Sequence, residues 1–178
     1  MMGIMKTPAV ILVNPKYSHN LAAAIRACSC FGVETLLYTG DRMNVDYRER
    51  LPREERMKGY KEVIWKRNDY PLVDVQGTPI CVEVREESEP LTTFQHPEDG
   101  VYMFGPEDGS VPGVFRRWCH RFVHIPAYHC LNLAGAMNVV LAHRMMQRQL
   151  NGKHPLLRVG EMLKETRGEL QVAGWEGK

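Results

Sequence analysis

Five short apolar runs, spaced so that helical patterns fall between them, constrain this chain more than any other feature. The first, Ala9–Val13 (AVILV), is rich in β-branched residues and has no alternating polar face. An unbroken apolar strand of this kind is buried on both sides, as central strands of parallel sheets are. Glu34–Thr39, Ile80–Val84, Val101–Phe104 and Phe122–Ile125 read as further strands, with Pro or Gly at their boundaries. Between the first two, Leu21, Ala24, Ile25 and Cys28 recur at helical spacing. Asn20 stands where an N-cap belongs, and Gly32 where the glycine after a helix belongs. Asn132–Leu150 reads as a second helix closing at Asn151-Gly152, and a third is expected within Leu156–Val172. Strand–helix alternation with apolar strands predicts an α/β fold: a mostly parallel sheet flanked by helices on both faces.

The 178 residues suit one domain, with a core over about 9–158 and a tail over 159–178. A hydrophobic fraction of 44% with 25% charged residues excludes a disordered, collagenous or coiled-coil chain. Ala9–Val13 is far short of the ~20 apolar residues of a membrane span, and no secretory signal is recognisable. Five cysteines without paired spacing lead to the expectation of a reduced, cytoplasmic protein. Cys119, His120, His124, His129 and Cys130 match no zinc spacing, so no metal is expected.

A formal net charge of +2 hides strong segregation. Residues 42–67 carry +4, residues 68–108 carry −9, and residues 116–153 carry +6 with no acidic side chain at all. Two basic blocks around an acidic one suggest a polyanion-binding face. The competing reading is that these charges pair with the acidic block on folding.

In sheets of this type, ligands bind beyond the carboxyl ends of the strands. Three segments fall there. The first is Asn14–Asn20 with the helix that carries Arg26, six residues after Asn20; the two side chains are expected on roughly similar sides. The second is Phe104–Pro112, a strand end running into a Gly/Pro turn. The third is Ile125–Asn132, leading into the long helix. None is a dinucleotide-binding GxGxxG or a phosphate-binding P-loop.

In this order, the three segments resemble the motifs of the SpoU/TrmH family of SPOUT-class RNA 2′-O-ribose methyltransferases. NLAAAIRACSCFGV is similar to its first motif, FGPEDGSVP to its second and IPAYHCLNLAGA to its third. The chain resembles the minimal members without an added RNA-binding domain, particularly the tRNA wobble-nucleotide enzymes, down to the tail HPLLR. Ala22 stands where the family usually has glycine, Cys130 where it has serine, and Pro106 removes one backbone N–H from the second-motif turn.

The resemblance implies a C-terminal trefoil knot, S-adenosylmethionine as cofactor, and a homodimer sharing its active sites, expected to form through the first and last helices and the face of Leu133–Val140. It implies catalytic roles for Arg26, Asn20, Glu107, Cys130 and Asn132, with Arg26 at the reacting ribose hydroxyl. Cofactor contacts are implied for Phe104, Gly105, Pro106, Gly109, Ile125, Pro126, Cys130 and Leu131. The basic blocks add Arg42, Arg53, Arg56, Arg116, Arg117 and Arg121 as expected RNA contacts, with tRNA the expected RNA. Two alternatives stay open: a knotted RNA-binding protein without catalysis, and a base-nitrogen RNA methyltransferase.

Overall fold

The computed structural model describes residues 5–43 and 62–155. In chain order the elements are β1 (Ala9–Leu12), α1 (Ser18–Cys30), β2 (Thr35–Tyr38), β3 (Ile64–Arg67), α2 (Pro71–Asp74), β4 (Thr78–Val82), β5 (Glu89–Pro90), β6 (Gly100–Phe104), α3 (Gly113–Arg116), β7 (Arg121–His124) and α4 (Leu133–Leu150). The strands form one sheet in the order β3-β2-β1-β6-β4-β7-β5. Every pairing is parallel.

The apolar runs become the central strands, as their unbroken hydrophobicity requires. All residues of β1, β2 and β6 are buried. On one face, Val10, Leu12, Tyr102 and Phe104 pack with Leu21, Ile25 and Cys28 of α1 and Met137, Val140 and Leu141 of α4. On the other, Ile11, Val13, Cys81 and Met103 meet Val75, Val111 and Cys119, with Leu72 and Phe115 of the short helices against them.

Register decides what meets at the carboxyl edge. Leu12 pairs with both Tyr38 and Phe104, Val82 pairs with Phe104, and Val123 pairs with Val82. Four neighbouring strands therefore end level, and the chain leaves them side by side at Asn14, Gly105, Glu83 and Ile125. That alignment brings the three candidate segments together.

Several local expectations change. Helix α1 begins at Ser18, two residues before the expected cap, and Tyr17 occupies the N-cap position without a side-chain bond. Asn20 instead lies inside the first turn, 6% exposed, because its amide is recruited elsewhere. Gly32 does follow the helix at φ +67, where a side chain would be strained. Strands β3 and β5 escape the apolar-run criterion: β3 is a partly exposed edge, and β5 is two residues ending in Pro90. On α4, Leu133, Met137, Val140 and Leu141 are buried in the chain's own core, so within the expected dimer face, Leu133–Val140, Val139 is the exposed large apolar residue, with Met146 and Leu150 exposed further along the helix. Packing is expected of both Cys28 and Cys30 as small residues of one helix; Cys28 is buried and Cys30 exposed. The helix expected within Leu156–Val172, and residues 44–60 of the polar stretch Gly40–Tyr60, whose dense Arg and Glu suggest a mobile loop or exposed helix, lie outside the described residues.

Candidate active site

The first and second segments are joined by one carboxylate. Glu107 follows the Phe104-Gly105-Pro106 turn and accepts from the Asn20 side-chain amide at 2.6 Å, from Lys16 N–H at 2.8 Å and from Tyr17 N–H at 3.4 Å. It sits against the start of α1, where the helix dipole favours negative charge. Burial alone would raise its carboxyl, but the hydrogen bonds from Asn20 and from the backbone of Glu107, Lys16 and Tyr17 outweigh it. They hold it below the usual carboxylate range. Glu107 is thus ionised at neutral pH and acts purely as an acceptor.

Its neighbour completes a second tie. Asp108 accepts both guanidinium nitrogens of Arg42, at 2.9 and 2.7 Å, and Lys16 Nζ lies 3.5 Å away. The bidentate arginine pins its carboxyl down to about 2.

Beyond this clamp opens a cleft of about 760 Å³. Phe104, Gly105, Pro106, Glu107 and Gly109 line it from the second segment, and Ile125, Cys130, Leu131 and Asn132 from the third. A Cβ on Gly105 would lie 3.0 Å from Val111 N and 3.2 Å from the Ser110 carbonyl carbon, so the turn closes this tightly only around glycine. Asn132 caps α4, its side-chain oxygen accepting from Gly135 N–H at 2.6 Å. Cys130 is exposed at the wall.

Three expected site residues do not line the cleft; Asn20, buried and bonded to Glu107, is the first. Pro126 is absent from the lining although its neighbours Ile125 and Ala127 are present. Arg26 is exposed on α1 and does not line the cleft. Asn20 is buried and Arg26 exposed because six residues at about 100° each leave side chains about 120° apart around a helix, not on similar sides.

The wall also contains Ser110 and Tyr128 from the second and third segments, and Val82, Glu83, Val84 and His124, which sequence reasoning missed. Val82 ends β4 and Glu83 and Val84 follow it, and the rule that ligands sit beyond strand carboxyl ends could have found them. Among the described residues, no group of three or more His, Cys, Asp or Glu could hold a metal ion.

The basic residues divide. Arg121 is committed to the fold: its guanidinium holds Glu89 at 2.7 and 2.8 Å, donates to the Gln95 carbonyl at 2.6 Å and lies 4.1 Å from the Phe94 ring centroid. Arg42 is bound to Asp108. Arg116 donates to the Val111 carbonyl at 3.2 Å, fastening α3 to the second-segment turn. Arg117 is exposed, 5.9 Å from the Trp118 ring centroid. Arg53 and Arg56 lie outside the described residues. Pairing with the acidic block therefore accounts for Arg42 and Arg121, and leaves Arg117 presented to solvent.

Comparisons with known proteins agree with this fold. The profile of the SpoU rRNA Methylase family matches residues 7–142. The fold is similar to that of the A. aeolicus TrmH/SpoU tRNA modifying enzyme, with TM-score 0.70 and 22% identity over 92% of this chain and 87% of that one. It is also similar to the SpoU methyltransferase AviRb from Streptomyces viridochromogenes in complex with AdoMet, with TM-score 0.65 and 18% identity over 83% of this chain and 62% of that one. A protein structure concerning 2-OH methylation of C/U34 on tRNA matches with TM-score 0.65 and 20% identity, over 81% of this chain and 96% of that one. Curated protein sequences provide no match. The family profile spans most of the chain, including β1 with its loop, the Glu107 turn and the Cys130 wall, and the chain belongs to the SpoU rRNA Methylase family.

Proposed function

We propose that the protein is an S-adenosylmethionine-dependent methyltransferase that modifies a ribose 2′-hydroxyl of tRNA, with the anticodon wobble nucleotide as target. The observation that carries this reading is the Glu107 clamp, which fixes the loop before α1 against the lip of the cleft. The similar tRNA modifying enzyme, the AdoMet-bound AviRb and the protein of C/U34 2-OH methylation support the RNA class, the cofactor and the position.

The cleft suits the cofactor. Its volume of about 760 Å³ lies within the range of small-molecule sites. Val82, Ile125, Leu131 and Ala136 give apolar walls, while Ser110, His124 and the tight Gly105 turn give polar groups and main chain. Phe104, Gly105, Pro106 and Gly109 would hold it from one side, and Ile125, Cys130 and Leu131 from the other. S-adenosylmethionine supplies an electrophilic sulfonium methyl.

The chain's own task is the hydroxyl. A ribose 2′-hydroxyl is a very weak acid, so its oxygen needs a neighbouring positive charge as it gains alkoxide character. Arg26 fills that role: its guanidinium fork donates to the oxygen and stabilises the charge developing there. Asn20 and Glu107 hold the loop beneath the substrate, and Asn132 fixes the start of α4.

Arg26 is exposed outside the cleft of its own chain, and Val139, Met146 and Leu150 leave an apolar stripe on α4. Both features fit a homodimer in which one copy's Arg26 completes the other's site. In the same reading, the segment from β7 into α4 belongs to a trefoil knot, and Arg53, Arg56, Arg116 and Arg117 contact tRNA phosphates. Mass-spectrometric mapping of tRNA nucleosides from cells with and without the gene tests the function. Loss of one 2′-O-methylated nucleoside supports it; unchanged ribose methylation, or loss of a base methyl instead, contradicts it.

A further inference from the structure

The loop anchored by Glu107 carries side chains that the anchor does not use. Glu107 takes the backbone amides of Lys16 and Tyr17 and the side chain of Asn20, leaving the Tyr17 and His19 rings outside that network. Lys16, Tyr17, Ser18 and His19 are all exposed, Tyr17 by 45%. The rings are nevertheless arranged: they stack with centroids 5.3 Å apart and planes 19° from parallel. Lys16 Nζ stands 5.3 Å from the Tyr17 centroid and reaches back to Asp108.

Single exposed apolar residues are ordinary on protein surfaces. A near-parallel aromatic pair with a cation beside it, where a loop pinned at its main chain enters α1, is a preformed flat surface. Its rings lie outside the core, Tyr17 at the N-cap position makes no side-chain capping bond, and the pair immediately precedes Asn20. Unpaired nucleobases are held by such surfaces: aromatic rings take the base face, and a neighbouring cation takes the phosphate. Pinning matters because a base stacked on a loose loop would not place its own ribose reproducibly.

We infer that Tyr17 and His19 form the platform on which the base of the target nucleotide stacks, with Lys16 beside its phosphate. This rests on the RNA methyltransferase reading above. Tyr17 and His19 are then positioning residues that hold the ribose toward the cleft. A π-face carries no hydrogen-bond code, so the platform itself tolerates different bases and requires only that the base be unpaired.

The test uses the full chain, S-adenosylmethionine, and unfractionated tRNA and ribosomal RNA as probes, with Tyr17→Ala, Tyr17→Phe, Tyr17→Trp and His19→Ala variants. Loss of base stacking on an aromatic predicts that Tyr17→Ala weakens binding of the substrate RNA roughly five- to hundredfold and raises KM more than it lowers kcat. Phe and Trp retain most of the affinity, His19→Ala shifts it less in the same direction, and cofactor affinity by calorimetry and the melting temperature stay at wild-type values. Wild-type RNA affinity in Tyr17→Ala, or a Phe variant as weak as the Ala variant, overturns the platform while leaving the enzyme reading intact. A wild-type protein that neither binds nor methylates either RNA overturns both.

Discussion

Polar side chains gather at both ends of the sheet, but they do different things there. At the carboxyl ends, Glu107, Asn20, Asp108 and Arg42 hold loops against the rim of an open cleft. At the amino ends, the polar groups are closed over by α4. His96 bridges the Tyr102 hydroxyl at 2.7 Å and His143 Nδ1 at 2.9 Å. Gln147 accepts from His96 N–H at 2.8 Å and donates to the Phe94 carbonyl at 3.0 Å, and Arg148 pairs with Glu98. Burial, with His143, Arg144 and Arg121 nearby, pushes His96 down to about 3, so it stays neutral and serves as a bracket. The lesson concerns reading charge: histidines and arginines are dense in residues 116–153, yet at this end they fasten the last helix. Chemistry needs polar groups beside open space, and the carboxyl end sets them at a cleft of about 760 Å³, whereas a cavity beside Thr7, Glu98 and Arg144 holds about 230 Å³.

Substitutions at the two ends should separate accordingly. The largest effect is expected for Arg26→Ala: single-turnover methyl transfer falls about a hundred- to thousandfold, the cost of about 2.7–4 kcal/mol typical for losing a donor to a developing oxyanion. Cofactor affinity and melting temperature should hold, because alanine is well tolerated on an exposed helix position. Arg26→Lys should recover only part of the rate, since it offers a point charge without the planar fork.

Next is Glu107→Ala. It leaves the buried Asn20 amide and two backbone N–H groups without their acceptor, at about 1–3 kcal/mol for each unsatisfied buried group. Thermal unfolding should show the loss, and transfer should fall with it, whereas Glu107→Gln should retain more stability. The sign with pH follows from the lowered carboxyl. The folded state binds this proton less readily than the unfolded state, so the stabilisation is full above the ordinary carboxylate value and disappears as pH falls through the lowered one. Gly105→Ala is a narrower probe of the same end. Its methyl must push on Val111 N or the Ser110 carbonyl, and calorimetry should show weaker cofactor binding with little change in RNA binding.

The amino end should behave in the opposite way. His96→Phe strands the Tyr102 hydroxyl and His143 Nδ1 and should cost about 1–3 kcal/mol of stability, while transfer per folded molecule stays at the wild-type rate. Neutral His96 also makes the wild-type fold lose stability as pH falls from about 6.5 toward 3, because the unfolded chain takes up that proton first. His96→Phe should flatten this slope in pH-dependent denaturation. The smallest effect is expected for Cys130→Ser, which restores the family's usual residue and should be tolerated or modestly raise the rate. A large loss would mean that the thiol itself is required.

The strands were legible because burial on both faces leaves an unmistakable mark: AVILV can hardly be anything but a central strand. The loops at their ends were legible through the ordered motifs, which placed Glu107 and Cys130 at the cleft wall. Three things were not. Asn20 looks like a cap until Glu107, 87 residues away, takes its amide. The partners of Arg42 and Arg121 lie 66 and 32 residues away, so a run of basic residues cannot reveal which are already paired. The Glu83 wall carries no motif, and its place beside the Phe104 turn follows from the register of β4 beside β6.

If the carboxyl-end cleft and its clamped loop perform ribose methylation, the wild-type protein transfers a labelled methyl group from S-adenosylmethionine to tRNA. Digestion of the product to nucleosides should then place the label in a single 2′-O-methylated nucleoside. Label on a base nitrogen, or tRNA binding without transfer, would contradict it.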